Sequence, residues 1–187
     1  MSFIANTAFQ FRMSNDRNND LQNIAGLYGS LAGTVFTPAD CSAGFLCEKG
    51  AHLAEGGYQM GISAAGGKHL YACNPSDVQR LSAVNGNLYA VGVETLGLGI
   101  PAGTKDNYTE MIPGETYAFG SGNFSTLVDA TTNIYATVAN GMLVGTNAAP
   151  AAGSGIYFEL DKGLGIDSFI VGNWIGGARY NLLCREA

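Results

Sequence analysis

The sequence is short of charged side chains. It has 9 Lys and Arg and 15 Asp and Glu in 187 residues, so 13% of its side chains carry a charge, where soluble domains average about 25%. Its surface must therefore be covered largely by Gly, Ala, Ser, Thr, Asn and apolar side chains. Such a surface suits contact with other protein better than contact with water. The composition favours a protein that buries part of its outside in an assembly.

Positive charge is the scarcer sign. The net charge is -6 and the pI is about 4.7, and no cluster of Lys and Arg is present to bind phosphates, so we expect no nucleic-acid partner. The uncharged stretch 21–39 is about as long as a membrane span, but it includes Gln22, Asn23 and Pro38, so we expect no membrane-spanning helix there. No basic residue precedes Arg12. The N-terminus therefore does not resemble a secretory signal, and we expect synthesis and use without export.

Histidine and cysteine are also few. The chain has two His and four Cys, and without export we predict that the cysteines are free, buried thiols. A zinc site is the alternative, but Cys41 and Cys47 have five residues between them, whereas structural zinc ligands are paired two to four residues apart. We expect no metal and no cofactor. The residues weighed here are Cys41, Cys47, His52, His69, Cys73 and Cys184.

Catalytic motifs are missing. A Ser or Cys nucleophile needs a base, which here is His52 or His69, and neither Ser121 nor Ser154 has the spaced glycines of a nucleophile elbow. Paired carboxylates remain available, but nothing in the sequence fixes their separation, and solvated strand ends are the favoured interpretation. The sequence predicts a protein that is not an enzyme, and a hydrolase would require a His to meet a Ser, Cys or carboxylate in a pocket. The candidate acids are Glu94, Glu110, Glu115, Asp129 and Glu159.

Turn residues are abundant. The chain has 27 Gly, and Asn85-Gly86 and Asn140-Gly141 each lie between apolar β-formers, which predicts two type I′ hairpins. Short strands at roughly ten-residue spacing indicate an all-β sandwich or barrel of antiparallel strands over 33–187, with a loop at Asn147–Gly155. The predicted strands are 33–37, 44–48, 58–63, 69–73, 82–84, 88–94, 116–119, 134–138, 142–144, 156–160, 169–172 and 178–184.

Residues 1–32 are predicted to form an N-terminal arm. Its first part carries four large apolar residues followed by a polar run over 14–20, and such an arm stays ordered only when it docks on something. Apolar residues at helical spacing over 21–31 predict a short helix. Gly26 and Gly29 disfavour a helix and leave a loop or a partner-stabilised segment as the alternative.

Large apolar residues supply the candidate interface. Aromatic side chains are frequent in the second half of the chain, and Trp and Tyr are typical interface anchors, although aromatics also fill the cores of sheets. An exposed apolar arm is unfavourable in water, so we predict a homo-oligomer, most simply a trimer. The candidate interface residues are Phe3, Ile4, Phe9, Phe11 and Trp174.

Three stretches carry a resemblance to a known class. Ile134–Val144, the Ala- and Pro-rich spacer with Gly155–Leu160 after it, and the earlier Ala43–Cys47 resemble the decoration or head-auxiliary proteins of tailed bacteriophages. The resemblance covers about half of the chain. It implies a β-rich virion structural protein that binds a major capsid protein on the capsid surface, commonly as a trimer, and that has no catalytic residues.

A second class fits the same composition. A carbohydrate- or receptor-binding module of a tail fibre or adhesin is also β-rich and aromatic. Exposed, coplanar aromatic side chains in a groove would favour sugar binding, whereas aromatics buried between subunits would favour assembly.

Overall fold

The computed structural model describes residues 11–13, 23–28, 41–74, 81–84, 87–90, 99–100, 103, 105–171 and 174–187. These residues form β-strands, and the helical structure among them is a single 3-10 turn at Ser121–Asn123. Among them, no helix has the length and hydropathy to cross a membrane. The strands are β1 Phe11–Met13, β2 Asn23–Tyr28, β3 Cys41–Ser42, β4 Leu46–His52, β5 Tyr58–Ile62, β6 Tyr71–Cys73, β7 Leu81–Val84, β8 Asn87–Ala90, β9 Gly99–Ile100, β10 Lys105–Glu110, β11 Thr116–Gly120, β12 Phe124–Thr126, β13 Tyr135–Ala139, β14 Met142–Thr146, β15 Ile156–Leu160, β16 Ile166–Val171 and β17 Trp174–Glu186.

Two large sheets contain thirteen of these strands, and β3 with β9 and β7 with β8 form two small two-stranded sheets. Five strands close into a barrel in the order β10-β2-β5-β4-β6, with β6 pairing back to β10. Seven strands of an eight-stranded sheet follow the order β1-β11-β17-β15-β13-β14-β12, and β16 pairs with β17 beside that path. The prediction of an all-β protein is confirmed. Most pairs are antiparallel, but β2 with β5 and β12 with β14 are parallel.

The predicted helix is wrong over the residues that the structure describes. Residues Asn23–Tyr28 form strand β2, which pairs with β10 on one side and β5 on the other. At the centre of this strand, a Cβ at Gly26 would overlap Met60 Cγ, so the glycine that disfavours a helix allows close packing inside the barrel. The described parts of the predicted arm thus contribute β2 to the barrel and β1 to the edge of the large sheet.

The second predicted hairpin is confirmed. Asn140 and Gly141 have φ of 50° and 74°, and Ala139 lies opposite Met142, as a type I′ turn requires. The first hairpin is supported by its strands, since β7 and β8 pair antiparallel with Val84 opposite Asn87. The turn residues 85–86 themselves lie outside the described residues. The structure also places 147–155 between strands, as predicted.

Each sheet has its own core. Within the barrel the buried side chains are three thiols, three tyrosines and a methionine; they are Tyr28, Cys41, Cys47, Met60, Tyr71, Cys73 and Tyr108. The large sheet buries mainly aliphatic and aromatic side chains, including Phe119, Leu143, Phe158 and Leu182. Leu46, Leu70 and Ala72 come from the barrel segment but pack in the core of the large sheet. The two sheets therefore share one boundary layer of apolar side chains.

The β13–β14 turn joins the two sheets. Asn140 N donates to Ala64 O at 2.9 Å, and Gly141 N donates to Ser63 O at 2.8 Å. In return, Leu46 N donates to Gly141 O at 2.8 Å. The tip of a large-sheet hairpin is thus hydrogen-bonded to the ends of two barrel strands.

Candidate functional site

The structure separates the candidate interface residues that it describes. Phe11 lies in β1, opposite Phe119 of β11, and Trp174 begins β17, opposite Val171 of β16. In the large sheet, β11 lies between β1 and β17. The remaining candidates, Phe3, Ile4 and Phe9, lie outside the described residues. The predicted interface and the predicted trimer therefore stay predictions.

Among the described side chains, three large apolar ones are exposed. Leu164 is 51%, Leu127 46% and Ile166 42% exposed. Leu164 and Ile166 lie in the connection between β15 and β16 and its continuation into β16, whereas Leu127 follows β12 at the edge of the large sheet. We call these three residues the apolar surface set. Sequence reasoning did not select them, since an isolated Leu or Ile gives no signal of its exposure.

Asp161 builds the loop that displays Leu164. Its Oδ1 accepts hydrogen bonds from Gly163 N and Leu164 N, each at 2.8 Å, and its carbonyl oxygen accepts one from Gly165 N at 2.8 Å. Thr116 Oγ1 donates to Asp161 Oδ2 at 3.2 Å. Burial raises the pKa of Asp161, but these hydrogen bonds to the carboxylate outweigh it and leave the pKa below its ordinary value. The loop that presents Leu164 to solvent is therefore held by a charged cap.

A polar cleft opens beside the barrel. Its volume is about 490 Å³, and it takes residues from β4, β6, β10 and the β5–β6 connection. The register of β10 with β6 places Glu110 opposite Tyr71, which brings residues distant in sequence to one place. The residues that line the polar cleft are Glu48, Lys49, Gly66, Gly67, Lys68, His69, Tyr71 and Glu110.

The acidic groups of the polar cleft already have partners. Tyr71 Oη donates to Glu110 Oε1 at 3.4 Å, and His69 Nδ1 lies 3.8 Å from the same oxygen. Ser63 Oγ donates to Glu48 Oε1 at 2.8 Å. The His69 side chain is 78% exposed, so its contact with Glu110 is screened by water. The cleft offers carboxylate acceptors and one imidazole for hydrogen bonds to a ligand.

Lys49 covers aromatic surface at this cleft. Its Nζ lies 4.6 Å from the centroid of the Tyr58 ring and 5.1 Å from that of Tyr71, within the range of cation–π attraction. A side-chain hydrogen bond with Tyr71 raises the pKa of Lys49 above its ordinary value. The ammonium therefore stays charged at the mouth of the cleft.

Only one of the candidate acids lies close to a candidate histidine in the described structure. Of the candidate acids, Glu110 lines the polar cleft with His69, and Glu159 pairs with Arg185 at 3.1 Å. The hydrolase alternative thus finds a His beside a carboxylate in a pocket. Their 3.8 Å separation is longer than the hydrogen-bond reach of an acid–base pair, about 2.6–3.2 Å.

The other candidates have local roles or lie elsewhere. His52 packs edge-on against Tyr58, with ring centroids 5.1 Å apart. Asp129 Oδ1 accepts hydrogen bonds from Thr131 N and Thr132 N at 2.8 and 2.6 Å. These contacts, led by Thr132 N, hold the pKa of Asp129 far below its ordinary value. Glu115 lies in the turn before β11, and Glu94 is outside the described residues.

The cysteines are free thiols, and all four are buried. Cys41, Cys47 and Cys73 lie in the barrel core, whereas Cys184 lies in the core of the large sheet. In the described part of the chain, no group of three or more His, Cys, Asp or Glu side chains is arranged to hold a metal ion. The expectation that the protein binds no metal stays a prediction.

Half-buried aromatic residues lie near one another on the large sheet. Tyr135 and Tyr157 have ring centroids 6.2 Å apart, and their ring planes are tilted by 54°. A flat platform for a sugar ring needs nearly coplanar aromatic faces, which this pair does not provide.

Comparison of the chain with known protein families, with characterised proteins and with solved structures found no match.

Proposed function

We propose that the chain is a non-enzymatic structural protein of a phage virion, which binds the capsid surface and stabilises it. The observation that supports this most directly is the apolar surface set on a chain with few charges. Exposed Leu164 and Ile166 belong to one segment of the chain, the connection between β15 and β16 and the start of β16, and only 13% of the residues are charged. Apolar side chains on a lightly charged surface lose little on burial against another protein.

The loop geometry adds to this support. Leu164 is held outward by the hydrogen bonds of Asp161, so the exposed side chain lies on a preformed loop. A preformed contact loop loses less conformational freedom on binding than a flexible one. The loop is therefore suited to docking against a fixed shell.

The test compares charged substitutions on and off this surface. Leu164→Asp and Ile166→Asp are measured by co-sedimentation with capsids that were prepared without this protein. We expect each to lower the bound fraction at least tenfold, because a buried unpaired carboxylate is strongly unfavourable. Ala152→Asp, at an exposed loop position, is the matched control and should bind as the unchanged chain does. Equal binding of all variants, or no binding of the unchanged chain, would contradict the proposal.

The polar cleft favours a second candidate, a carbohydrate-binding module. Glu48 and Glu110 offer carboxylate oxygens to sugar hydroxyls, and Tyr58 and His69 lie at or near the same opening. A glycan array with the unchanged chain and with Glu110→Gln separates the two functions. Specific glycan binding that is lost in Glu110→Gln, without capsid binding, would favour the module over the structural protein.

A further inference from the structure

Three thiols share the core of the barrel. Cys41, Cys47 and Cys73 each have 0% exposure, and the same core holds Tyr28 and Tyr108. The fourth cysteine, Cys184, belongs to the core of the large sheet. Free cysteines are common in protein cores, but their spacing in this barrel sets two of them apart.

A tight turn brings Cys41 next to Cys47. Phe45 N donates to Ser42 O at 3.0 Å, and Gly44 has φ of 80°, so the chain reverses direction between the two cysteines. As a result, Cys41 Sγ lies 3.6 Å from Cys47 Sγ. A disulfide bond is about 2.05 Å long, so the two sulfurs need to approach by about 1.5 Å to form one.

The third thiol of this core has a different contact. Cys73 Sγ donates to Cys41 O at 3.0 Å, which directs that sulfur toward the backbone. Its main chain is fixed as well, since Cys73 N donates to Phe45 O and Gly44 N donates to Cys73 O, each at 2.8 Å. Cys73 therefore supports the turn that holds the other two thiols together.

We propose that Cys41 and Cys47 are a redox pair, which a peroxide converts into an intramolecular disulfide. The Cys41 thiolate attacks one oxygen of hydrogen peroxide, which forms Cys41 sulfenic acid and releases hydroxide. The Cys47 sulfur then attacks the sulfenic sulfur, and the disulfide forms as the oxygen leaves as water. Two thiols are oxidised by two electrons, and one peroxide is reduced to two molecules of water.

Access to Cys41 comes from its short strand. β3 contains two residues and pairs with the two residues of β9, whereas Cys47 lies in a seven-residue strand of the closed barrel. A two-residue ladder opens at a lower free energy than a barrel strand does. Burial raises the pKa of the Cys41 thiol, so the closed form is unreactive and oxidation proceeds through the opened form.

A buried donor lies in the same core. Among the described residues, the Tyr108 hydroxyl is buried without a hydrogen-bond partner, which is an unfavourable arrangement for a polar group. Because Tyr108 only shares this buried cluster with the two thiols, Tyr108→Phe should leave unchanged which cysteines pair.

The test maps disulfides in the native protein after treatment with hydrogen peroxide. Cleavage after Lys and Arg places Cys41 and Cys47 together in peptide 18–49, Cys73 in peptide 69–80 and Cys184 in peptide 180–185. We expect peptide 18–49 to lose about 2 Da and to resist alkylation, while the other two peptides remain alkylated. Further cleavage after Phe45 should leave two pieces that dithiothreitol separates.

Matched variants sharpen the result. Cys47→Ala should abolish the change in peptide 18–49, and Cys184→Ala should leave it intact. A cross-link between peptides 18–49 and 69–80, or four alkylatable thiols in peroxide-treated native protein, would overturn the proposal. The mapping of the unchanged chain gives this answer even when Cys47→Ala fails to fold. The inference is independent of the proposed function.

Discussion

The two cores of this protein differ in how their buried polar groups are hydrogen-bonded. Inside the barrel, three thiols and three tyrosines fill a closed space, and the Tyr108 hydroxyl has no hydrogen-bond partner among the described residues. In the large sheet, the comparable Tyr117 hydroxyl accepts a hydrogen bond from Ile112 N at 3.0 Å and donates one to Glu110 O at 3.1 Å. The barrel core therefore holds thiols and, among the described residues, an unsatisfied hydroxyl, whereas the large sheet satisfies its buried tyrosine hydroxyl with hydrogen bonds.

The largest expected effect tests the closed packing of the barrel. A Cβ at Gly26 would overlap Met60 Cγ and lie 2.8 Å from Tyr108 Cδ2, and a closed barrel has no free edge along which the strand could shift. We expect Gly26→Ala to lower the free energy of unfolding by about 3 kcal/mol, measured by urea denaturation.

Two matched glycines accompany this measurement. A Cβ at Gly145 of the large sheet would overlap Leu127 O. The strand before Leu127 has three residues and pairs on one side with β14, so its displacement breaks fewer hydrogen bonds than that of a barrel strand, and Gly145→Ala should cost about 1 kcal/mol. A Cβ at Gly67 would meet nothing within 4 Å beyond its chain neighbours, and Gly67→Ala should change stability by less than about 0.5 kcal/mol. A larger loss for Gly145→Ala than for Gly26→Ala would reverse the comparison.

The two tyrosines give the next largest effect. Tyr117→Phe leaves the half-buried Ile112 N and Glu110 O without this partner, and we expect it to lower the free energy of unfolding by about 2 kcal/mol. Tyr108→Phe removes a hydroxyl that has no partner among the described residues, so it should leave stability unchanged or raise it by about 1 kcal/mol. Urea denaturation of both variants checks this, and equal losses would show that Tyr108 has a hydrogen bond in solution.

The buried thiols should make the free energy of unfolding depend on alkaline pH to a different extent in the two cores. Burial raises the pKa of Cys41 and raises that of Cys184 to about 12, and the pKa of Cys47 is raised by its hydrogen bond with Cys41 and by burial. Because the folded-state pKa values are raised, stability is complete below the unfolded value of about 8.5 and is lost as pH rises above it. Thiols that ionise only in the unfolded state therefore favour unfolding in alkali.

The corresponding measurement is urea denaturation at pH 8 and pH 9 under a reductant. Cys41→Ala with Cys47→Ala should reduce the loss of stability over this interval by about 1.4 kcal/mol, and Cys184→Ala should reduce it by about 0.7 kcal/mol. The ratio of about two follows from the number of thiols removed. A greater effect from Cys184 would place the more strongly perturbed thiol in the large sheet.

The smallest expected effect concerns the loop that displays Leu164. The pKa of Asp161 is lowered by its hydrogen bonds, so the stability it contributes is present above the unfolded value of about 3.9 and is lost as pH falls through the lower folded value. Asp161→Asn should cost less than about 1 kcal/mol at pH 6, since the group is only partly buried and screened by water, and the cost should be smaller at pH 2. Glu186→Gln, at an exposed position, is the control and should show no such difference.

The sequence allowed a tight turn to be predicted, but it did not allow the pairing of strands that are distant along the chain to be predicted. Asn140-Gly141 specifies its own backbone conformation, so its hairpin was predicted. Residues Asn23–Tyr28 have helical spacing but form a strand, because pairing with β5 and β10 outweighs a weak local preference. No strand was predicted over Lys105–Glu110, whose pattern has Tyr108 as its single large apolar residue.

The candidate site likewise depends on long-range strand pairing, which the sequence did not predict. Glu110 and His69 were each considered in the sequence, but their 41-residue separation gave no reason to join them. The pairing of β10 with β6 places Glu110 beside Tyr71, and His69 lies two residues before Tyr71. Likewise, the proximity of Cys41 and Cys47 depends on the turn at Gly44. Contacts made by strand pairing are set by the whole sheet, so a local pattern does not predict them.

The order of the strands along the chain has a consequence for synthesis on the ribosome. All barrel strands lie within residues 23–110, whereas the large sheet depends on β17 at Trp174–Glu186, which pairs with both β11 and β15. The barrel can therefore close while the strand that unites the large sheet is still unmade. During that interval Leu46 and Leu70, which pack in the core of the large sheet, have no covering layer. The nascent barrel thus carries a temporary apolar face, the kind of surface that chaperones recognise.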